Sequence, residues 1–196
     1  MTCIGSEIET LTSEDFGFKK LGQAAILPSY DERLPFASLQ NLDISNHRSL
    51  YVACSGNKIV IGKLQQLRDY IQNDAKSEIS FIWEREVDDV IAVKLIRDEK
   101  LVYVNKQSQV FELDLNKLGE PSEVFNFDCD LVYVKFWRNS VLLALDSNGQ
   151  LRGLHLVQRQ LTSLLENVAA FDLFQDKLYA FFKSFSVQVF ELQSWN

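Results

Sequence analysis

Leu101-Val102-Tyr103-Val104, a polar turn over 105–109 and Val110-Phe111-Glu112-Leu113-Asp114-Leu115 form the stretch that decides the fold. The first run is apolar on both faces, which suits a strand sandwiched between two layers. The second alternates towards its end, with Glu112 and Asp114 opposite Phe111, Leu113 and Leu115, which suits a strand with one wet face. Together they read as an antiparallel hairpin. The same design recurs as Leu50–Cys54 with Lys58–Leu64, as Val141–Leu145 with Leu151–Leu156, and as Leu178–Phe182 with Val187–Leu192.

The copies begin at 50, 101, 141 and 178, so they are spaced 51, 40 and 37 residues apart. These spacings bracket the ~40–45 residues of a four-stranded propeller blade. Strand-like runs fill the intervals: Ile79–Trp83 and Val90–Val93 before the second hairpin, Val124–Phe127 and Leu131–Val134 before the third, Leu164–Leu165 and Val168–Phe171 before the fourth. Each unit therefore reads as an inner strand, a hairpin and an outer strand. The fold class is all-β, a β-propeller with about four blades over 1–196 and hairpins near 49–64, 100–115, 140–156 and 177–192. A β-sandwich is the structural alternative. The longest interval holds Leu64, Leu67 and Ile71 at helical spacing. This predicts a helix inserted between two strands of the first blade, as a packing element.

A hydrophobic content of 46% with 24% charged residues is globular rather than disordered. The net charge of −7 lacks the basic footprint of a nucleic-acid binder and is repelled by anionic membranes, but suits a basic protein partner. No apolar run approaches the roughly 18 residues needed to span a bilayer, so membrane insertion is not expected. Residues 1–15 carry Glu7, Glu9, Glu14 and Asp15 and do not read as a signal peptide. Cys3, Cys54 and Cys129 contain no C-x-x-C pair, which points to reduced thiols in an intracellular compartment.

Catalytic and cofactor motifs are missing. His47 sits in a polar turn and His155 on an alternating strand, neither with a second ligand at metal spacing. No nucleophile elbow and no phosphate-binding glycine loop occur. Asp88-Asp89 is an adjacent pair whose side chains would point to opposite faces, and reads as a turn between blades. The aromatics, Phe81, Trp83, Phe125, Phe127, Tyr133, Phe136, Trp137, Phe181 and Phe182 among them, recur at strand spacing with flanks of mixed charge. They read as core rather than an RNA platform. No enzyme activity, cofactor or metal is expected. A propeller enzyme would need carboxylates or histidines converging at one end of the inner strands, and no such set is visible.

The opening of the chain is more specific. Ser13-Glu14-Asp15-Phe16-Gly17-Phe18-Lys19, Leu21-Gly22-Gln23, Ile26-Leu27-Pro28-Ser29 and Leu34–Asn46 follow one another closely, and Val52-Ala53, Ser55-Gly56, Leu67-Arg68-Asp69 and Trp83-Glu84 continue the pattern. These residues resemble the N-terminal propeller of the fungal FG nucleoporins related to vertebrate CAN. Beyond about residue 100 the likeness rests on strand pattern. The resemblance implies a seven-bladed propeller at the cytoplasmic face of the nuclear pore complex. There it would recruit a DEAD-box RNA helicase for mRNA export, with other nucleoporins engaged through further segments. A generic interaction scaffold is the alternative.

The resemblance also implies that four units of seven are present here, the last ending after its second hairpin strand. It carries over no partner-binding residue, because the helicase-contacting loops it implies lie in blades later than most of those present here. Phe16-Gly17 belongs to the opening strand and is not a transport-receptor repeat; Phe16–Leu27 is expected to be extended and packed on a blade. With the ring open, the outer faces of the first and last blades are expected to be bare. Several of Phe171, Phe174, Tyr179, Phe181 and Phe185 would then be exposed.

Overall fold

Four short antiparallel meanders follow one another along the chain. The computed structural model describes residues 42–45, 49–55, 57–72, 79–87, 89–97 and 99–193. The first sheet contains β1 (Leu42–Ser45), β2 (Leu50–Ser55), β3 (Lys58–Lys63) and β4 (Trp83–Glu86), with α1 (Leu64–Gln72) between β3 and β4. The second contains β5 (Val90–Ile96), β6 (Lys100–Asn105), β7 (Gln109–Asp114) and β8 (Ser122–Asn126). The third contains β9 (Leu131–Trp137), β10 (Val141–Asp146), β11 (Leu151–His155) and β12 (Gln160–Leu165). The fourth holds β13 (Val168–Phe174), β14 (Lys177–Phe182) and β15 (Val187–Glu191), three strands among the described residues. Strands within each sheet pair in sequence order and no strand crosses between sheets, which sets aside the sandwich. The first strands touch across sheets, β1 against β5, β5 against β9 and β9 against β13. They are therefore the inner strands of four stacked blades.

One hydrogen bond repeats in every blade. The amide after the third strand donates to the carbonyl before the second: Leu64 to Ser49 at 2.6 Å, Leu115 to Glu99 at 2.8 Å, Leu156 to Ser140 at 2.8 Å and Leu192 to Asp176 at 2.7 Å. The donor is leucine each time. The turns between first and second strands also repeat, with Arg97, Arg138 and Gln175 in the left-handed region at φ 48°, 52° and 54°.

The cores lie between blades. Val52, Cys54, Ile59 and Ile61 of blade 1 pack against Val93, Leu101, Tyr103 and Leu113 of blade 2. Val102, Val104 and Val110 meet Leu142, Ala144 and Leu154 of blade 3. Leu143, Leu145 and Leu151 meet Val168, Phe171 and Leu178 of blade 4. Alternate residues of β6 and β10 thus face the preceding and following blades, which is why β10 is buried along its whole length. On β7, Glu112 and Asp114 are half-buried, and Glu112 accepts a hydrogen bond from Lys100 at 2.6 Å.

Three expectations change. The run Ile79–Trp83 is not a strand; the outer strand is Trp83–Glu86, paired with β3 from Ile61↔Trp83 to Lys58↔Glu86. β3 passes directly into α1, so residues before Trp83 have little ladder left to join, and Phe81 packs inward instead. Blade 1 is not bare: its far face, Tyr51, Ala53 and Val60, carries Leu67 of α1 and Phe81. The inserted helix is the packing element its spacing predicts. Phe171 is buried against blade 3, its ring edge-on to Tyr133 at 5.0 Å. Phe174, Phe181 and Phe185 are exposed as expected, and Tyr179 is half-buried. Phe16–Leu27 and most of the opening motif lie outside the described residues.

Candidate functional site

The residues that carry chemistry in other proteins have structural work here. His155 ends β11, buried, and its Nδ1 accepts the amide of Gln158 at 3.1 Å while its carbonyl accepts that of Arg159 at 2.7 Å. It shapes a turn. His47 and Asp88 lie outside the described residues; Asp89 stands between β4 and β5 and pairs with Lys106 at 3.2 Å. Cys54 sits in the core between blades 1 and 2, and burial pushes its thiol up to about 12, far from a reactive thiolate. Burial also raises the Cys129 thiol, against the opposing pull of Arg152. Cys3 is not among the described residues. Among those residues no group of three or more His, Cys, Asp and Glu could hold a metal, and no helix is long and apolar enough to cross a membrane.

A ring of charges lines the inner strands. Asp43, Lys94, Lys135 and Asp172 each pair with the third residue of the next strand: Val52, Val102, Leu143 and Tyr179. They occupy equivalent places in the four blades. Lys94 reaches back to Asp43 at 2.9 Å, and Asp43 also accepts the Leu95 amide at 2.8 Å, occupying an edge donor that β5 leaves unpaired. Lys135 bonds forward to Asp172 and holds its carboxyl below the usual range. Between blades 3 and 4, Asp176 receives Arg138 at 2.8 and 3.0 Å and the Trp137 indole at 3.2 Å; the Arg138 bonds lower its pKa. Blade contacts are thus clipped by charge near the axis as well as by apolar packing. Sequence reasoning did not identify these clips. Their signal was a lone lysine inside each of the apolar runs Val90–Ile96 and Leu131–Trp137.

The far face of blade 4 is open. Tyr179 pairs with Val189 and Phe181 with Val187, so these four share that face; Val187 and Val189 are exposed, and Phe174 is 63% exposed. The matching residues of blades 1 to 3, such as Val52, Val102 and Leu143, are buried against a following blade.

A repeated four-stranded unit with these inter-blade cores can be compared with known propellers. Residues 35–196 match the profile of the family described as NUP159/214 beta propeller. The chain belongs to that family. Membership makes it a nucleoporin propeller. It is 44% identical over 190 residues to nucleoporin NUP159 of Saccharomyces cerevisiae, an alignment that covers 97% of the chain and 13% of the relative. The solved N-terminal domain of Nup159 superposes with a TM-score of 0.83 at 40% identity, covering 90% of the chain and 47% of that domain. A second solved structure, S. cerevisiae Dbp5 bound to Nup159, Gle1, IP6 and ADP, matches at TM-score 0.82 and 40% identity, over 89% of the chain and 46% of its counterpart. The chain thus spans about half of the solved domains it matches.

For a nucleoporin propeller with these surfaces, docking is the chemistry on offer. The discrete features are the open face of blade 4, the loops at the two rims and the clefts between blades. The groups whose titration is shifted are the clip residues Asp172, Asp176 and Arg138, the thiols of Cys54 and Cys129, and Tyr51 and Asp114.

Proposed function

We propose that this propeller is a docking module of the nuclear pore complex, on its cytoplasmic side, that recruits a DEAD-box RNA helicase for mRNA export. The observation that carries this reading is the 40% identity and matching fold to the Nup159 seen bound with Dbp5. The net charge of −7 supports a protein partner over direct RNA contact, since RNA surfaces need a basic footprint. Residues 1–196 form the N-terminal portion of a seven-bladed propeller on this reading, and other nucleoporins are engaged through segments outside it.

Docking is then a property of the completed ring. The face of Tyr179, Phe181, Val187 and Val189 stands where blades 1 to 3 each receive a neighbour. Left uncovered it favours association over specific binding. Residues 1–196 alone are expected to hold the helicase poorly, and a version extended through the later blades to hold it well. Two experiments test the reading. Immuno-electron microscopy of the tagged full-length protein should place label on the cytoplasmic side of the pore. Pull-down with purified helicase should recover it on the extended propeller. Label on the nuclear side only, or an extended propeller that retains no helicase, would leave a generic scaffold as the better description.

A further inference from the structure

Blades 2 and 3 enclose a cleft at the rim that carries the turns between first and second strands. Its volume is about 250 Å³. Ile96 and Leu156, both buried, and Val157, 73% exposed, supply its apolar surface. Arg97 and Arg159 flank it from the β5–β6 and β11–β12 turns. Lys100 also lines it but is committed to Glu112 at 2.6 Å, and the exposed Glu99 and Asn139 complete the lining, which leaves three cationic side chains against two carboxylates.

The two arginines differ from others in the fold. Arg85 pairs with Glu120, Arg138 with Asp176 and Arg152 with Asp146. Arg97 and Arg159 are exposed and make no side-chain hydrogen bond or ion pair among the described residues. Both have left-handed backbones, with φ 48° and 55°. Each turn is held by its own bonds: Glu99 donates to Ile96 at 3.1 Å, and Arg159 donates to His155 at 2.7 Å. Two guanidinium groups are thus anchored by fixed turns on either side of an apolar floor, in a chain whose net charge is −7. Guanidinium suits bidentate capture of carboxylate. The apolar surface is aliphatic, with no exposed aromatic on which a base could stack, and two free cations are few for a nucleic-acid path.

We propose that this cleft receives an acidic linear peptide of a protein partner, with carboxylates on Arg97 and Arg159 and an apolar side chain over Ile96, Leu156 and Val157. The site is independent of helicase docking. Both of its walls are present in the blades described, so it needs no further blade to complete it.

The test uses residues 1–196 and fluorescence anisotropy. The probe is a fluorescein-labelled dodecapeptide with two Asp-Glu pairs around one leucine; the comparison probes are its Asn-Gln counterpart and a uridine dodecamer. Glycine suits a left-handed backbone, so Arg97→Gly with Arg159→Gly removes both charges without lowering the melting temperature. The acidic peptide should bind saturably, and the double variant should bind it about tenfold more weakly, as expected for two exposed charge contacts. Arg97→Lys with Arg159→Lys, which keeps charge but not the planar fork, should fall between. Val157→Asp should weaken binding as well. Absence of saturable binding by the parent chain would overturn the proposal, as would equal affinity in the double glycine variant. Tighter binding of the uridine dodecamer, lost in that variant, would overturn it in favour of an RNA site.

Discussion

Gly62→Ala should destabilise the propeller through a single contact. Gly62 lies on β3 directly opposite Tyr51 on β2. A methyl group at Gly62 would stand 2.5 Å from both Cζ and Oη of the tyrosine, where carbon contacts prefer about 3.5–4.0 Å. The ring cannot simply swing away: Tyr51 is fully buried in a cluster with Ala53, Val60, Leu67 and Phe81. Overpacking of this kind costs about 1–3 kcal/mol. At about 2–4 °C per kcal/mol for a chain of this size, a 2 kcal/mol cost lowers the melting temperature by about 4–8 °C. Thermal melts followed by circular dichroism read this directly. Gly119→Ala is the matched control, because a Cβ there meets nothing within 4 Å. Tyr51→Leu in the Gly62→Ala background should recover part of the loss, since the two sites share one contact. If Gly62→Ala melts no lower than Gly119→Ala, the packing of α1 over blade 1 is not as described.

Three further outcomes follow from other parts of the molecule. Asp172 and Asp176 have carboxyls held below the ordinary aspartate value by Lys135 and Arg138. Their stabilising effect is therefore complete above about pH 3.9 and is lost as pH falls through the lower folded values; Asp172→Asn with Asp176→Asn should flatten the acid limb of a plot of melting temperature against pH. In a Cys3→Ser background, Cys54 should resist a thiol reagent at pH 8 until the chain is unfolded, because burial pushes its thiol up to about 12, whereas Cys129 should react in the native state. Phe185→Gly should raise the melting temperature slightly, since Phe185 holds a left-handed φ of 62° where Gly149 stands in blade 3, and left-handed backbone costs a residue with a side chain about 1–2 kcal/mol; a fall would show that its ring is needed for packing.

The hairpins were legible because the second strands of blades 1 to 3 are buried on both sides and every hairpin closes on a leucine at the same place. Periodicity at that strength survives in one sequence. Leu42–Ser45 was not assigned as a strand: its alternation of Leu42 and Ile44 with Asp43 and Ser45 runs for only four residues, and both apolar side chains are exposed. The outer strand of blade 1 was misplaced for a related reason. Trp83-Glu84-Arg85-Glu86 is mostly polar, so the apolar run before it drew the assignment, although Phe81 in that run serves the cluster under α1. The helix itself was visible, but not the face it covers, since which side of a sheet an insertion folds onto depends on tertiary contacts. The charge clips were invisible as pairs: Asp43 and Lys94 are far apart in sequence and meet only because two inner strands converge. The cleft at Arg97 and Arg159 depends likewise on two turns from neighbouring blades. Site residues of this kind follow from blade stacking rather than from a local motif.

The central claim is that the completed propeller docks a DEAD-box helicase. Isothermal titration of purified helicase into the propeller extended through its later blades tests it most directly, with residues 1–196 titrated in parallel. Saturable one-to-one binding is expected of the extended form and at least tenfold weaker binding of residues 1–196, a difference of about 1.4 kcal/mol or more. No heat of binding with the extended propeller, under conditions where it melts cooperatively, would contradict it.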